Sequence, residues 1–277
     1  MNRPAPKVSV CIPTYRGAQT IGPAIASVLA QTFTDFELIV IDDGSPDETA
    51  TIVAGFEDSR ITYLRNASNL GPEGNWNRCL EMARGTYFKL LPHDDLLHPH
   101  CLERQAAVLD QDAEHGVALV FSAREVLTPA GRTVMCRGYP GAREGRLSAA
   151  DVLRQCVRRG TNLLGEPGAV MFRRSLAEVV GRFDASEPYV IDMDYWFRLL
   201  AHGDAHYCAD PLAAFRVSGS QWSVVLGGQQ SSDFLRCIQR HVGIGALKLS
   251  PLDRLIGRFT PALNNLARQA FYRVYLR

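Results

Sequence analysis

Asp94 and Asp95 stand side by side after the run Tyr87-Phe-Lys-Leu-Leu91, which Pro92 closes. Neighbouring carboxylates repel each other and are costly to bury. A divalent cation with oxygen ligands relieves both costs, and a diphosphate supplies the ligands that remain. An isolated Asp-Asp also suits a solvated turn or a helix cap, because both favour aspartate. The same arrangement occurs earlier: Asp42-Asp43-Gly44-Ser45 ends the apolar run Phe36–Ile41. A third acidic site, Asp192, precedes the amphipathic stretch Met193–Ala201. A carboxylate there suits the cap of that helix. Asp194, two residues on, points about 200° away on a helix and cannot share that work.

These carboxylates need strands and helices to bring them together. Lys7–Pro13 reads as a buried first strand and Thr14-Tyr15-Arg16-Gly17 as a turn. Thr20 opens a helix with Ile21, Ile25, Val28 and Leu29 on one face. Phe36–Ile41 is nearly all apolar, as suits a parallel strand covered on both faces. Ser45-Pro46-Asp47-Glu48 combines a capping box with proline at the first helical position, predicting a helix over 46–56. Ile61–Leu64 is a third strand, 66–75 a polar loop and Asn77–Ala83 a helix. The run before Asp94 is then the fourth strand. Further on come a helix over 99–112, a strand over 116–123 and the turn Thr128–Arg132. A glycine-rich connection spans 138–145, a helix 149–158, a strand 169–173 and an extended run 207–217. Alternation of strands and helices implies right-handed crossovers and a mostly parallel α/β sheet. Tyr15, Asp42, Asp43, Asp94 and Asp95 all fall at carboxyl ends of strands, where such sheets bind ligands.

The 277 residues have 46% hydrophobic and 21% charged content and a net charge of +1, so nothing global points to nucleic acid. Seven scattered cysteines with no Cys-x-x-Cys pair argue against zinc or a disulfide framework and for a reducing compartment. His93, His98 and His100 match no common zinc spacing. No apolar run approaches the roughly 20 residues needed to span a bilayer. No leader is legible, so the expected location is cytoplasmic. Residues 248–277 carry Lys248, Arg254, Arg258, Arg268, Arg273 and Arg277 against the single acid Asp253. Phe259, Leu263, Leu266, Ala270 and Val274 recur there at helical spacing, interrupted by Pro261. A basic amphipathic segment of this kind lies on an anionic membrane, or packs on the domain or a second subunit as a homodimer.

The segments Val8–Tyr15, Ser27–Phe33, Ile39–Ser45, Asn69–Gly71, Asn77–Gly85, His93–Asp95 and Asp192–Trp196 stand in the order and spacing of one family. Through them the chain resembles the family 2 glycosyltransferases, inverting enzymes with the nucleotide-sugar-binding GT-A fold. The resemblance covers roughly residues 7–218. It implies a GT-A-type, Rossmann-like, mostly parallel sheet with flanking helices. A GT-A domain would span 1–218, divided into a nucleotide half (1–100) and an acceptor-side half (101–218). A loop and helical extension would follow over 219–277. It also implies that Pro13, Thr14, Tyr15 and Asp43 hold the base of a UDP or dTDP donor, while Asp94 meets the ribose or a metal-bound water. Asp95 would ligate Mn²⁺ or Mg²⁺, and Asp192 would be the catalytic base. Glu166 and Arg216 fall at loops bordering the acceptor side, where Glu166 would bind an acceptor hydroxyl and Arg216 the diphosphate, unless both serve surface salt bridges. The acceptor class is a saccharide or a lipid-linked sugar, as in surface polysaccharide assembly.

Three departures stand out. Pro92 replaces the first acid of the usual Asp-x-Asp-Asp motif, Ile191 precedes the base where an acid often stands, and Ser218 stands where relatives often carry histidine. Competing readings are a non-catalytic sugar-nucleotide binder and a sugar nucleotidyltransferase. The latter wants a glycine- and basic-rich loop after the first strand, which Thr14–Gly17 matches poorly. A dehydrogenase fits less well still, for no Gly-x-Gly-x-x-Gly follows any strand.

Overall fold

The computed structural model describes residues 4–217 and 226–275. Strand β1 (Val8–Thr14) is buried along its whole length, as is β2 (Phe36–Asp42). They pair in parallel from Val8 opposite Phe36 to Thr14 opposite Asp42. β3 (Ile61–Arg65) joins the outer side of β2, and β4 (Tyr87–Leu90) joins β1, both in parallel. Successive side chains leave a strand on opposite faces. Val8, Val10, Ile12, Leu38 and Val40 therefore meet helices α1 (Ile21–Leu29) and α4 (Cys101–Gln111). Cys11, Ile39 and Ile41 meet the other face, covered by α3 (Gly71–Met82), α5 (Ala149–Arg159) and α7 (Ile191–Leu199).

Beyond β4 the sheet is mixed. The short β5 (Leu96–Leu97) forms its far edge. β6 (Val117–Leu127) forms a hairpin with β7 (Thr133–Arg137) through the expected turn. β9 (Val170–Arg173) lies antiparallel between β4 and β6. β10 (Asp204–Arg216) runs parallel to β6 and also carries β5 and the short β8 (Gly145–Leu147). The strand order is β3-β2-β1-β4-β9-β6-β10-β5. Because β9 opposes both its neighbours, β1 to β4, β6 and β10 all point one way, and their carboxyl ends share one rim of the sheet.

Local reading misplaced several elements. α3 starts six residues before the sequence reading places it, at Gly71 rather than Asn77. Its first amides, Leu70 N–H and Gly71 N–H, donate to the Asp43 carboxylate at 2.9 Å, a cap supplied from another strand. The capping box at Ser45–Glu48 does not form. The Ser45 hydroxyl instead accepts from Arg16 N–H at 2.9 Å, and α2 (Thr49–Ala54) begins later. α6 (Arg174–Val180) and β5 lie where no regular element was expected.

The chain closes with α8 (Gln230–Gly243) and α9 (Pro251–Tyr275). α8 adds Phe234, Cys237 and Ile238 to the core. α9 is continuous through Pro261 and crosses α5 where Gly160 turns the chain with φ 62°; a Cβ there would lie 2.4 Å from Pro261 N. Among the described residues no helix is long and apolar enough to cross a membrane. Ser218, most of the loop over 219–230 and Arg277 lie outside the described residues.

Candidate functional site

The rim is built from β1 and β2. Thr14 C=O accepts from Asp43 N–H at 2.8 Å, which fixes the two strand ends together. Asp42, fully buried, accepts from Ser45 N–H (2.8 Å) and Tyr63 O–H (2.6 Å). Its carboxylate is thereby spent on the turn. Asp43 also holds its surroundings, accepting from Asn66 Nδ2 (2.6 Å) as well as from Leu70 and Gly71. A carboxylate offers about four acceptor positions, so one remains for an imide N–H. Gly17 N–H and Ala18 N–H donate to Thr49 Oγ1 and Asp47, tying down the turn that presents Tyr15, whose ring is 40% exposed. Thr14 Oγ1 is buried without a hydrogen-bond partner. Beside this turn, a Cβ on Gly17 would come within 3.4 Å of the His93 ring, so the ends of β1 and β4 adjoin.

Asp95 is 2% exposed. Its Oδ1 accepts from Arg216 N–H at 3.0 Å, while the Arg216 guanidinium donates to the carbonyls of Asp94 (3.1 Å) and Pro129 (3.0 Å). The carboxyl ends of β4 and β10 are thus clamped together. Burial, then the Asp94 charge and the Glu166 charge, push the Asp95 carboxyl well above its ordinary range. Gly168 passes over it, and a Cβ there would sit 3.9 Å from Asp95 Oδ2. A buried carboxylate with Asp94 next to it in the chain offers oxygen ligands of the kind a hard divalent cation takes. Asp94, Asp95 and Glu166 do not converge as three ready ligands. Among the described residues only Asp194, Cys237 and His241 come that close. Those three already face two cations, since Asp194 takes Arg198 at 2.9 Å, Arg240 at 3.1 Å and His241 at 2.8 Å. The three histidines near Asp94 are not gathered: His100 pairs with Glu103, and His98 lies 3.4 Å from Glu125.

Asp192 lies in the first turn of α7, one residue inside its start and not at its cap. Asn162 Nδ2 donates to Asp192 Oδ2 at 3.0 Å, and Met193 N–H to Oδ1 at 2.6 Å. Burial, and behind it the Glu166 charge, raise this carboxyl to about 7, against the pull of those two donors. Glu166 itself is held by Arg124 Nε at 2.6 Å. Burial works to raise Glu166, but Arg124 and Arg137 prevail and keep it below its usual range. Glu166 is therefore an ionised acid whose field acts on both Asp95 and Asp192. Asn162 also donates to Gly165 C=O at 3.0 Å, which takes the Trp196 indole N–H at 3.3 Å. Trp196 is 1% exposed and belongs to the core. Asn162 and Arg124 escaped the sequence reading, because nothing in their neighbours distinguishes them from loop and strand residues. A cavity of about 220 Å³ lies between Leu70-Gly71, beside Asp43, and Pro188 and Ile191, the latter next to Asp192 in the chain.

The model of the family described as "Glycosyl transferase family 2" matches residues 9–181. The chain belongs to the family 2 glycosyltransferases. It is 34% identical over 206 residues to an uncharacterised protein of Mycobacterium tuberculosis, covering 72% of this chain and 64% of that one. It is 34% identical over 120 residues to a UDP-Glc:alpha-D-GlcNAc-diphosphoundecaprenol beta-1,3-glucosyltransferase of Escherichia coli, 43% of this chain and 46% of the relative. The chain spans less than two thirds of both relatives. In fold it is similar to the 1–349 fragment of S. aureus TarS in complex with UDP-GlcNAc. That likeness has a TM-score of 0.69 at 19% identity, over 98% of this chain and 76% of the other. This family 2 glycosyltransferase therefore has the GT-A architecture expected of it.

Proposed function

We propose that this glycosyltransferase moves a sugar from a UDP- or dTDP-sugar to a hydroxyl of a saccharide or lipid-linked acceptor, with inversion, in surface polysaccharide assembly. The observation that carries it is a pair of raised carboxyls, Asp95 and Asp192, under one ionised acid. Asp95 sits buried at the end of β4, and Asp192 is raised to about 7 beside Glu166, whose charge acts on both. The base of the donor lies against Pro13, Thr14 and Tyr15 and meets the remaining acceptor position of Asp43; Asp94 takes the ribose. Asp95 would hold the cation, which neutralises charge on the leaving diphosphate when bound. Arg216, whose guanidinium holds the Asp94 carbonyl, would meet the same diphosphate.

In the reaction the acceptor oxygen bonds to the anomeric carbon as the bond from that carbon to the diphosphate oxygen breaks. The electron pair leaves with the nucleoside diphosphate, and the hydroxyl proton passes to Asp192. A carboxyl at about 7 is matched to this task, since the best general base titrates near the working pH. Attack opposite the leaving group gives the inverted linkage. The Asn162 hydrogen bond orients the base, and Glu166, engaged with Arg124, shapes the field around it rather than binding the acceptor alone. The lipid-linked acceptor is favoured by the E. coli relative, a glucosyltransferase acting on a diphosphoundecaprenol-linked sugar. The test is a donor screen over UDP-, dTDP- and GDP-sugars, followed by proton NMR of the product linkage. Retained configuration would refute the single displacement. Binding of donor without turnover on any acceptor would leave the chain a non-catalytic binder.

A further inference from the structure

Helix α9 has two unlike faces. Asp253, Gly257, Pro261 and Arg268 are buried. They pack on α5 and α8, with Asp253 paired to Arg158 and capped by Ser250, and Thr260 Oγ1 donating to Val157 C=O. Leu252, Leu255, Phe259, Leu263, Leu266 and Val274 are between 56% and 68% exposed. At about 100° per residue they fall, with exposed Ala270, within an arc of about 100°, roughly opposite the buried face. The stripe runs for about 33 Å. A contiguous apolar surface of this extent marks an interaction site.

Charge selects the occupant. Lys248, Arg254, Arg258 and Arg273 are exposed on or beside α9, and its one acid, Asp253, is turned inward. A second copy docked through the same stripe would bring arginine rows together with no exposed acid on either helix to meet them. An anionic surface meets them directly. We propose that α9 docks this protein on an anionic lipid surface, its apolar stripe sunk to the boundary of headgroups and acyl chains. This rests on the proposed lipid-linked acceptor for its purpose. The geometry joins the two: the Arg268 guanidinium donates to Tyr189 O–H and lies 4.7 Å over its ring, and Tyr189 stands three residues before Asp192. Docking along α9 therefore fixes how the turn carrying Asp192 faces the lipid.

The test is sedimentation of the full chain with vesicles of phosphatidylcholine alone and of phosphatidylcholine mixed with phosphatidylglycerol. Ultracentrifugation without lipid and calorimetric UDP affinity are read on the same preparations. Wild type is expected on the mixed vesicles, at least about tenfold more weakly on the neutral ones, and as a monomer without lipid. Leu263→Glu with Leu266→Glu should lose at least about tenfold in vesicle binding, and Arg254→Ser with Arg258→Ser about fivefold per charge at low salt. Unchanged UDP affinity in the variants shows that the fold is intact. No vesicle binding by wild type, equal binding to both vesicles, or vesicle binding unaffected by the glutamates overturns the proposal. A wild-type dimer split by the glutamates assigns the stripe to a second copy and overturns it too. Failure of UDP binding in wild type counts against the donor assignment and leaves the vesicle result standing.

Discussion

Removing Asn162 should change the pH at which this enzyme works, and not merely its rate. Asn162 Nδ2 donates to Asp192 Oδ2 at 3.0 Å. That bond favours the ionised carboxylate, and it opposes the burial and the Glu166 charge that bring Asp192 to about 7. A hydrogen bond to a charged group is worth about 1.5–3 kcal/mol, and 1.36 kcal/mol corresponds to one pH unit. In Asn162→Ala the acid limb of kcat/KM should therefore move up by about one to two pH units. At pH 7 about half of wild type carries the ionised base. The variant would carry about a tenth to a hundredth, a loss of about fivefold to fiftyfold that recovers above pH 9. The sign follows from the direction of the shift: raising an acid's pKa removes the base form from the neutral range, so activity is lost at low pH and regained at high pH. The assay is initial-rate transfer from pH 5.5 to 9.5 at subsaturating donor, with a melting curve for each variant. Asn162 also accepts from Leu164 and Gly165 N–H, so some loss of stability is expected. A uniform loss at every pH, with the limb unmoved, would refute the role given to Asn162 and weaken that of Asp192.

Asp192→Asn should lower transfer by about 10²–10⁴-fold while calorimetric donor affinity holds. Asp194→Ala should act on stability instead, costing about 3–5 kcal/mol in urea unfolding, because it strips Arg198, Arg240 and His241 of a partner that is 1% exposed. If Asp194→Asn is the dead enzyme and Asp192→Asn works, the base is misassigned. Asp95→Ala should abolish the gain in UDP affinity that Mn²⁺ gives wild type; equal titrations with and without metal in both proteins would remove Asp95 from metal binding. Gly160→Ala should cost at least about 1–2 kcal/mol for its left-handed backbone, more with the contact to Pro261, and should speed proteolysis within α9.

What was legible in the sequence was whatever is encoded within a few residues. The runs Val8–Thr14 and Phe36–Asp42 announce buried strands by composition alone, and the aspartates that end strands follow from them. Asp192 was singled out only through its segment's likeness to the family's pattern. What was not legible depends on partners distant in the chain. Asp43 caps α3 across 27 residues, so the start of that helix could not be read from its own sequence. Ser45 looked like a cap but its hydroxyl serves Arg16, 29 residues away. Asn162 meets Asp192 across 30 residues, and Arg124 meets Glu166 across 42. Glu166 looked like a group for an acceptor hydroxyl, yet only the fold could give it Arg124 as a standing partner. β5 is two residues long, too short for any periodicity to register.

The antiparallel placement of β9 has a consequence for how the chain is made. β4 pairs with β1 on one side, but its other edge is closed only by β9, which ends at Arg173, 83 residues after Leu90. Until then Phe88 and its neighbours present an unpaired, apolar edge, the usual template for joining another chain. At about 5–20 residues per second, a ribosome leaves that edge open for roughly 4–17 s. A nascent chain halted near residue 100 would hold the four parallel strands β1 to β4 and yet be unable to finish its sheet. The stretch of synthesis between α4 and β9 is thus the one in which this protein most needs a chaperone, and a fragment ending there is expected to aggregate even though β1 to β4 are complete.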